Sequence, residues 1–388
     1  MSNLDIALDN VDAAFREGEK AGITVEKDTY RSGTYETYES TVKTMIRDLT
    51  KNVLGGDVNN KRILPKYMNG KTWDQYFDHL TTKYEQGKIT ADTIQKRVHA
   101  LEAFRTMVNN TNVCGKDTQI RVGDKEERLD YLQERGVHKS RDEVTAMKPT
   151  TMQKDAVHEN INRKTAAGEV SYKVNVFQSE TGSRIKAAFK LQVKDVNFDK
   201  GTITFRNDKN NFTRTIPMTA GAREVLEPFC KGKSGGTPVF TIKDRDGNDK
   251  NFKESVKTVQ RYTNEAAKKA GVNRENRRYT THSNRKIYAQ NLYNSTKNLT
   301  LKELEKKIGE YVRLQGSNKD MLVQRMKNEL NRLNAYRDKM GYERAGFTHE
   351  HLRRLYTALH LGHSRCDVVL RYIKPDAKLV ETKLKKAS

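Results

Sequence analysis

Apolar positions recur along this chain at two spacings. In the first third they fall three and four apart. Tyr38, Val42, Met45, Ile46 and Leu49 make one such stripe, and Ile94, Val98, Leu101, Phe104 and Val108 make another. That period predicts amphipathic helices packed through one face. Thr90 precedes the second stripe and is suited to cap it. Thr72-Trp73-Asp74-Gln75-Tyr76-Phe77 opens a third helix, and a short charged one is expected over residues 124–133. The outward faces carry Lys43, Arg47, Lys51, Lys96, Arg97 and Arg105.

Beyond Pro149 the helical period resumes. Thr150 or Thr151 caps a helix towards residue 161, and another covers 171–179 until Thr181-Gly182 breaks it. Arg184 begins a further helix with Ile185, Ala188, Phe189 and Leu191. The period then changes to two. Residues 201–205 and 213–218 read as strands, and the turn formers Asn207-Asp208-Lys209-Asn210-Asn211 join them into a hairpin with Lys209 at or near its tip. Helices are expected over 222–229, 252–270 and 281–293, with a basic, Gly-rich loop at 231–236. In residues 295–350, Leu301, Leu304, Ile308 and Val312 make one stripe, and Val323, Met326, Leu330 and Leu333 a second. Two such stripes predict a helical hairpin packed on itself.

These elements predict a mainly α fold with a small antiparallel sheet. Residues 1–42, with four basic and nine acidic side chains, read as an acidic arm or a helix that docks on another subunit. Residues 43–135 form a helical domain and 136–150 a linker ending near Pro149, which disfavours helix before it. Residues 151–388 form a second domain, with an insertion at 295–350 and a short tail at 373–388.

Charge changes the picture. The chain of 388 residues carries +23, yet residues 1–150 hold 24 basic and 24 acidic side chains. The remainder holds 49 and 26 and therefore all of the excess. A one-sided excess points to a polyanion such as nucleic acid. Lys43, Arg47, Lys96 and Arg97 are the candidate phosphate contacts of the helical domain. Cys114, Cys230 and Cys366 stand far apart, with neither disulfide nor zinc spacing, which suits a reducing cytosol. His349-Glu350-His351 lacks the i, i+4 spacing of helical ligands, so no metal and no other cofactor is expected. No apolar run approaches the ~18 residues that span a bilayer, so a cytoplasmic protein is expected.

The chemistry-bearing residues lie in one order: Arg184 after Thr181-Gly182, Lys209 in the hairpin, His282 and Arg285 in an H-x-x-R, and His363 nine residues before Tyr372. This set resembles the tyrosine recombinase (phage integrase) family over residues 155–375. The resemblance implies a helical core-binding domain ahead of a mixed α/β catalytic domain. It also implies site-specific cleavage and rejoining of double-stranded DNA through a 3′-phosphotyrosine. The expected role is integration or excision of a mobile element, with a dimer on each site and a tetramer across two, and with DNA-bending or directionality proteins as possible accessories. Dimer resolution, telomere resolution, a type IB topoisomerase and a non-enzymatic DNA-binding relative are the alternatives. Tyr372 is then the nucleophile, and two guanidinium groups, Arg184 and Arg285, clamp the phosphate oxygens. The resemblance assigns Lys209 as the general acid, with Arg206 and Arg214 as nearby alternatives, and Pro217 matches the family's strand-ending proline. His282 orients or exchanges the tyrosine proton, and His363 bonds the scissile phosphate. Tyr356 is the rival nucleophile. Three residues after its first arginine the family often has an acid. Here Ala187 stands there, so Glu180 or Asp195 is expected to support Arg184. Arg285 and His363 also stand 78 positions apart, more than the family's usual spacing.

Overall fold

The computed structural model describes residues 1–25, 32–115, 118–120, 122, 125–137, 146–206, 208, 212–274 and 277–376. It divides into two compact units, Met1–Glu143 and Val144–Ser388. The fold is mainly α with one small antiparallel sheet, as the periodicities predict.

The first unit is helical: α1 (Asn3–Lys20), α2 (Ser32–Asn52), α3 (Gly70–Glu85), α4 (Ala91–Asn110) and α5 (Lys125–Glu134). Thr90 caps α4 as expected, its hydroxyl accepting from the Thr93 amide. Val42, Met45, Ile46 and Leu49 of α2 pack with Ile94, Val98, Leu101 and Phe104 of α4 in one core. Residues 1–42 do not stand apart as an arm. Ala7, Val11, Ala14 and Phe15 of α1 are buried in that same core, so the acidic face of α1 covers an apolar one.

The second unit opens on the last residues of the expected linker. The Met147 amide donates to the Arg278 carbonyl, and Met147 is buried with Val157 and Tyr262, so this stretch is part of a folded unit. Residues 138–145 of the linker lie outside the described residues. Then follow α6 (Thr151–Glu159), α7 (Ala166–Thr181) and α8 (Ile185–Lys190). Thr150 and Gln153 close a capping box on α6. Strands β1 (Val196–Asn197), β2 (Thr202–Phe205) and β3 (Arg214–Pro217) pair in that order, with Ile203 opposite Ile216. Next come α9 (Ala220–Cys230), α10 (Phe252–Lys269), α11 (Thr281–Asn294), α12 (Leu301–Arg313), α13 (Lys319–Met340) and α14 (His349–His360).

The 295–350 insertion is not a hairpin packed on itself. Leu304, Ile308, Tyr311 and Val312 of α12 lie in the main core of the unit with Leu352, Leu355 and Leu359 of α14. The stripe read correctly as apolar, but it packs on α14 and the main core of the unit.

Candidate active site

Four helix ends meet at one place. Helix α7 stops at Gly182, whose left-handed φ of 61° is open to glycine, and a Cβ there would overlap the Tyr288 ring. The end of α14 turns through Leu361 and Gly362 in the same way. Helices α8 and α11 begin here, α8 with Arg184 at its N-cap and α11 with His282 and Arg285 in its first turns. The free carbonyls of the two helix ends face the buried Arg285 guanidinium. One terminal nitrogen donates to the Gly182 carbonyl and the other to that of Leu361.

Above this buried cation lies Tyr372, in the segment after a 3-10 turn (Val368–Arg371). The Arg285 guanidinium carbon is 5.4 Å from the centre of the Tyr372 ring. The His282 ring stands 5.4 Å from it on another side. The phenolic oxygen is 3.3 Å from His363 Nε2, and Arg184 Nη2 is 3.4 Å from that same nitrogen. Arg184 is itself held by Asp208, whose carboxylate accepts from Nη1 at 2.7 Å. Five of the six expected residues are thus brought together: Arg184, His282, Arg285, His363 and Tyr372. Lys209 lies outside the described residues.

Several expectations need correction. The acid beside Arg184 is neither Glu180 nor Asp195. Glu180 accepts from the Thr219 hydroxyl, and Asp195 pairs with Arg206. Asp208 takes that place and also accepts from Arg214 Nε at 3.2 Å. Arg214 is fully buried and donates to the His360 carbonyl, so it is a structural tie rather than a substitute for Lys209. Arg285, expected to clamp phosphate oxygens, lies beneath the tyrosine ring with both terminal nitrogens on backbone carbonyls. The Tyr356 ring lies 4.6 Å from that of His360, tilted by 59°, and packs against the main core. In the first unit, Lys43 pairs with Asp12 and Glu39, and Arg97 with Asp48, while Arg47 and Lys96 are exposed.

Electrostatics follow from burial and from the arginines. Burial alone would raise the Asp208 carboxyl. Arg214, Arg184 and Arg285 outweigh it and hold that group well below the usual carboxylate range. Burial, with Arg285, Lys286 and Arg184 nearby, pushes His282 down to about 4, so it is neutral at neutral pH. Burial and Arg184 also lower Arg285 from its ordinary value.

Nothing in the local motifs signals what holds the tyrosine segment. Lys148 Nζ donates to the carbonyls of Leu370 and Ile373, 2.7 Å from each, on either side of Tyr372. Gln290 pairs with the backbone of Lys374, and Asp376 accepts from Arg353 and Tyr293. All of these partners lie far away in sequence. Among the described residues no three His, Cys, Asp or Glu side chains gather as metal ligands, and no helix is long and apolar enough to cross a membrane.

Residues 150–309 match the model of the phage integrase family. Over 92 residues the chain is 32% identical to tyrosine recombinase XerA of Pyrococcus furiosus, covering 24% of this chain and 32% of that protein. It is 31% identical over 93 residues to the protein of the same name from Pyrococcus horikoshii, again covering 24% and 32%. The chain thus spans about a third of the length of these relatives. Among solved structures it is similar to a lambda integrase tetramer bound to a Holliday junction, at 17% identity and a TM-score of 0.49, covering 76% of this chain and 74% of that one.

Proposed function

Residues 150–309 of this chain belong to the phage integrase family, and from that premise we propose that the chain is a site-specific DNA recombinase using Tyr372 as its nucleophile. The observation that carries this reading is the Tyr372 hydroxyl set 3.3 Å from His363 Nε2, with Arg184 on the same nitrogen.

In the proposed step Tyr372 attacks a backbone phosphorus and passes its proton to His363. A bond forms between phosphorus and the phenolic oxygen, and the bond to the 5′ oxygen breaks. Lys209 protonates that leaving oxygen. The product is a 3′-phosphotyrosine, which keeps the phosphodiester energy for rejoining. Arg184 meets the charge that develops on the phosphate, and the buried Arg285 adds to the field from below. Neutral His282 packs against the tyrosine ring and orients it. The partner is double-stranded DNA, drawn by the excess charge of residues 151–388, with assembly to dimers and tetramers on it. Integration or excision of a mobile element is the role we assign.

The test is covalent capture. Nicked duplexes are selected by the wild-type chain from a randomised pool and run on denaturing gels. A protein–DNA adduct is expected from the wild type and none from Tyr372→Phe, with DNA binding retained. An adduct from Tyr372→Phe would remove Tyr372 from its role.

A further inference from the structure

The long insertion between Arg285 and His363 reaches both chain segments that deliver the site. Strand β3 is at the edge of the sheet, with β2 on its inner side. Its outer side is covered by side chains from the turn between α12 and α13. Gln315, itself buried, accepts from the Thr215 amide at 3.0 Å and donates to the Thr215 carbonyl at 2.8 Å. Asn318 donates to the Thr213 carbonyl at 3.1 Å. These bonds complete backbone groups that an edge strand would leave open. The stretch joining β2 to β3 carries Asp208 and, in sequence, Lys209.

Helix α13 then turns one face to the tyrosine loop. Arg325, Glu329 and Arg332 are four and three residues apart, so they share that face. The Arg325 guanidinium lies 4.8 Å from the centre of the Phe212 ring, beside β3. Glu329 is 3% exposed and accepts from the Cys366 amide at 2.7 Å. Arg332 pairs with Glu329 at 2.7 Å and reaches Asp367 at 3.4 Å. Cys366 and Asp367 lie between His363 and Tyr372. Burying a carboxylate is costly unless it is paired and bonded. Here the bonds go to an arginine and to a backbone amide of the loop.

We propose that the insertion is a bracket that sets the general-acid hairpin and the nucleophile loop at a fixed separation, with Glu329, Gln315 and Asn318 as positioning residues. The inference rests on the recombinase reading above. It predicts that each end of the bracket serves a different partner of the reaction.

The experiment uses the full chain and the captured duplex, made with either oxygen or sulfur at the bridging 5′ position. A sulfur leaving group needs no proton, so it reports nucleophile placement without the general acid. Glu329→Ala is expected to slow adduct formation about tenfold or more, the scale of one bond to a charged group. The loss should be the same on both leaving groups, at unchanged DNA binding. Glu329→Gln, which keeps the acceptor for the Cys366 amide, should stay within about threefold of wild type. Gln315→Ala combined with Asn318→Ala should slow the oxygen substrate about tenfold and the sulfur substrate by clearly less. Wild-type rates in Glu329→Ala, wild-type rates on oxygen in the Gln315/Asn318 pair, or equal losses on oxygen and sulfur for that pair would overturn the bracket while leaving the active site standing. A wild-type chain that forms no adduct would overturn the site reading, and the bracket with it.

Discussion

At the scale of single residues, short motifs deliver some members of the site and the folded hairpin delivers another. His282 and Arg285 share the start of one helix, and Tyr372 is the ninth residue after His363, so local geometry already brings each pair together. Asp208 arrives by another route. It lies 24 residues from Arg184, in a stretch whose Asn and Asp content reads as turn chemistry. Only the folded hairpin sets its carboxylate between Arg184 and the fully buried Arg214. Removing that carboxylate leaves a buried guanidinium without its counter-charge, which costs about 3–5 kcal/mol. Asp208→Ala should therefore lower the urea midpoint of the second unit and slow cleavage through a displaced Arg184. Asp208→Asn keeps an acceptor and should lose less stability. An Asp208→Ala protein as stable as wild type would show that Arg214 finds another partner.

At the scale of elements, periodicity found the helices with one buried face. Helices α4, α10 and α12 follow the expected residues closely, while α2 runs across the boundary expected at residue 42. It missed α14. Leu352, Leu355 and Leu359 of that helix are buried, but so are Glu350, Arg353 and Arg354, so no polar face marks it. The start of α7 was placed five residues late because Ala166 and Gly168 carry no stripe; Thr165 caps it there. Strand β1 is two residues long and exists only through pairing with β2. Stripes also do not name their partners, which is why the insertion read as a self-packed hairpin. The two packings predict different energetics. Leu304 is fully buried in the core shared with α14. Leu304→Ala should then destabilise the second unit by about 2–5 kcal/mol, the range for a leucine removed from a tight core. A hairpin apart from the core would melt locally and leave the global midpoint almost unchanged. Chemical denaturation separates the two results.

At the scale of the molecule, the two units have separate cores and differ in their response to acid. Three histidines of the second unit, His158 and His360 buried and His282 half-buried, are held neutral. Burial pushes His158 and His282 down to about 4 and His360 down to about 3, against an ordinary value near 6.5. Between these values and 6.5 the unfolded chain binds more protons than the folded one. Stability is therefore full above pH 6.5 and is lost as pH falls towards 4. Each such proton changes stability by about 1.4 kcal/mol per pH unit, so three give about 4 kcal/mol per unit near pH 5. In the first unit burial lowers His79, and the depressed carboxylates Asp12 and Asp48 are protonated only at lower pH. The second unit should therefore unfold first on acidification. One probe isolates the other unit: Trp73 is the chain's single tryptophan and is fully buried in the first unit's core. Between pH 6.5 and 4, far-ultraviolet circular dichroism should report partial loss of helix while Trp73 fluorescence holds its folded emission. A single coincident transition by both probes would show that the histidines do not set the order, and that the two units unfold together.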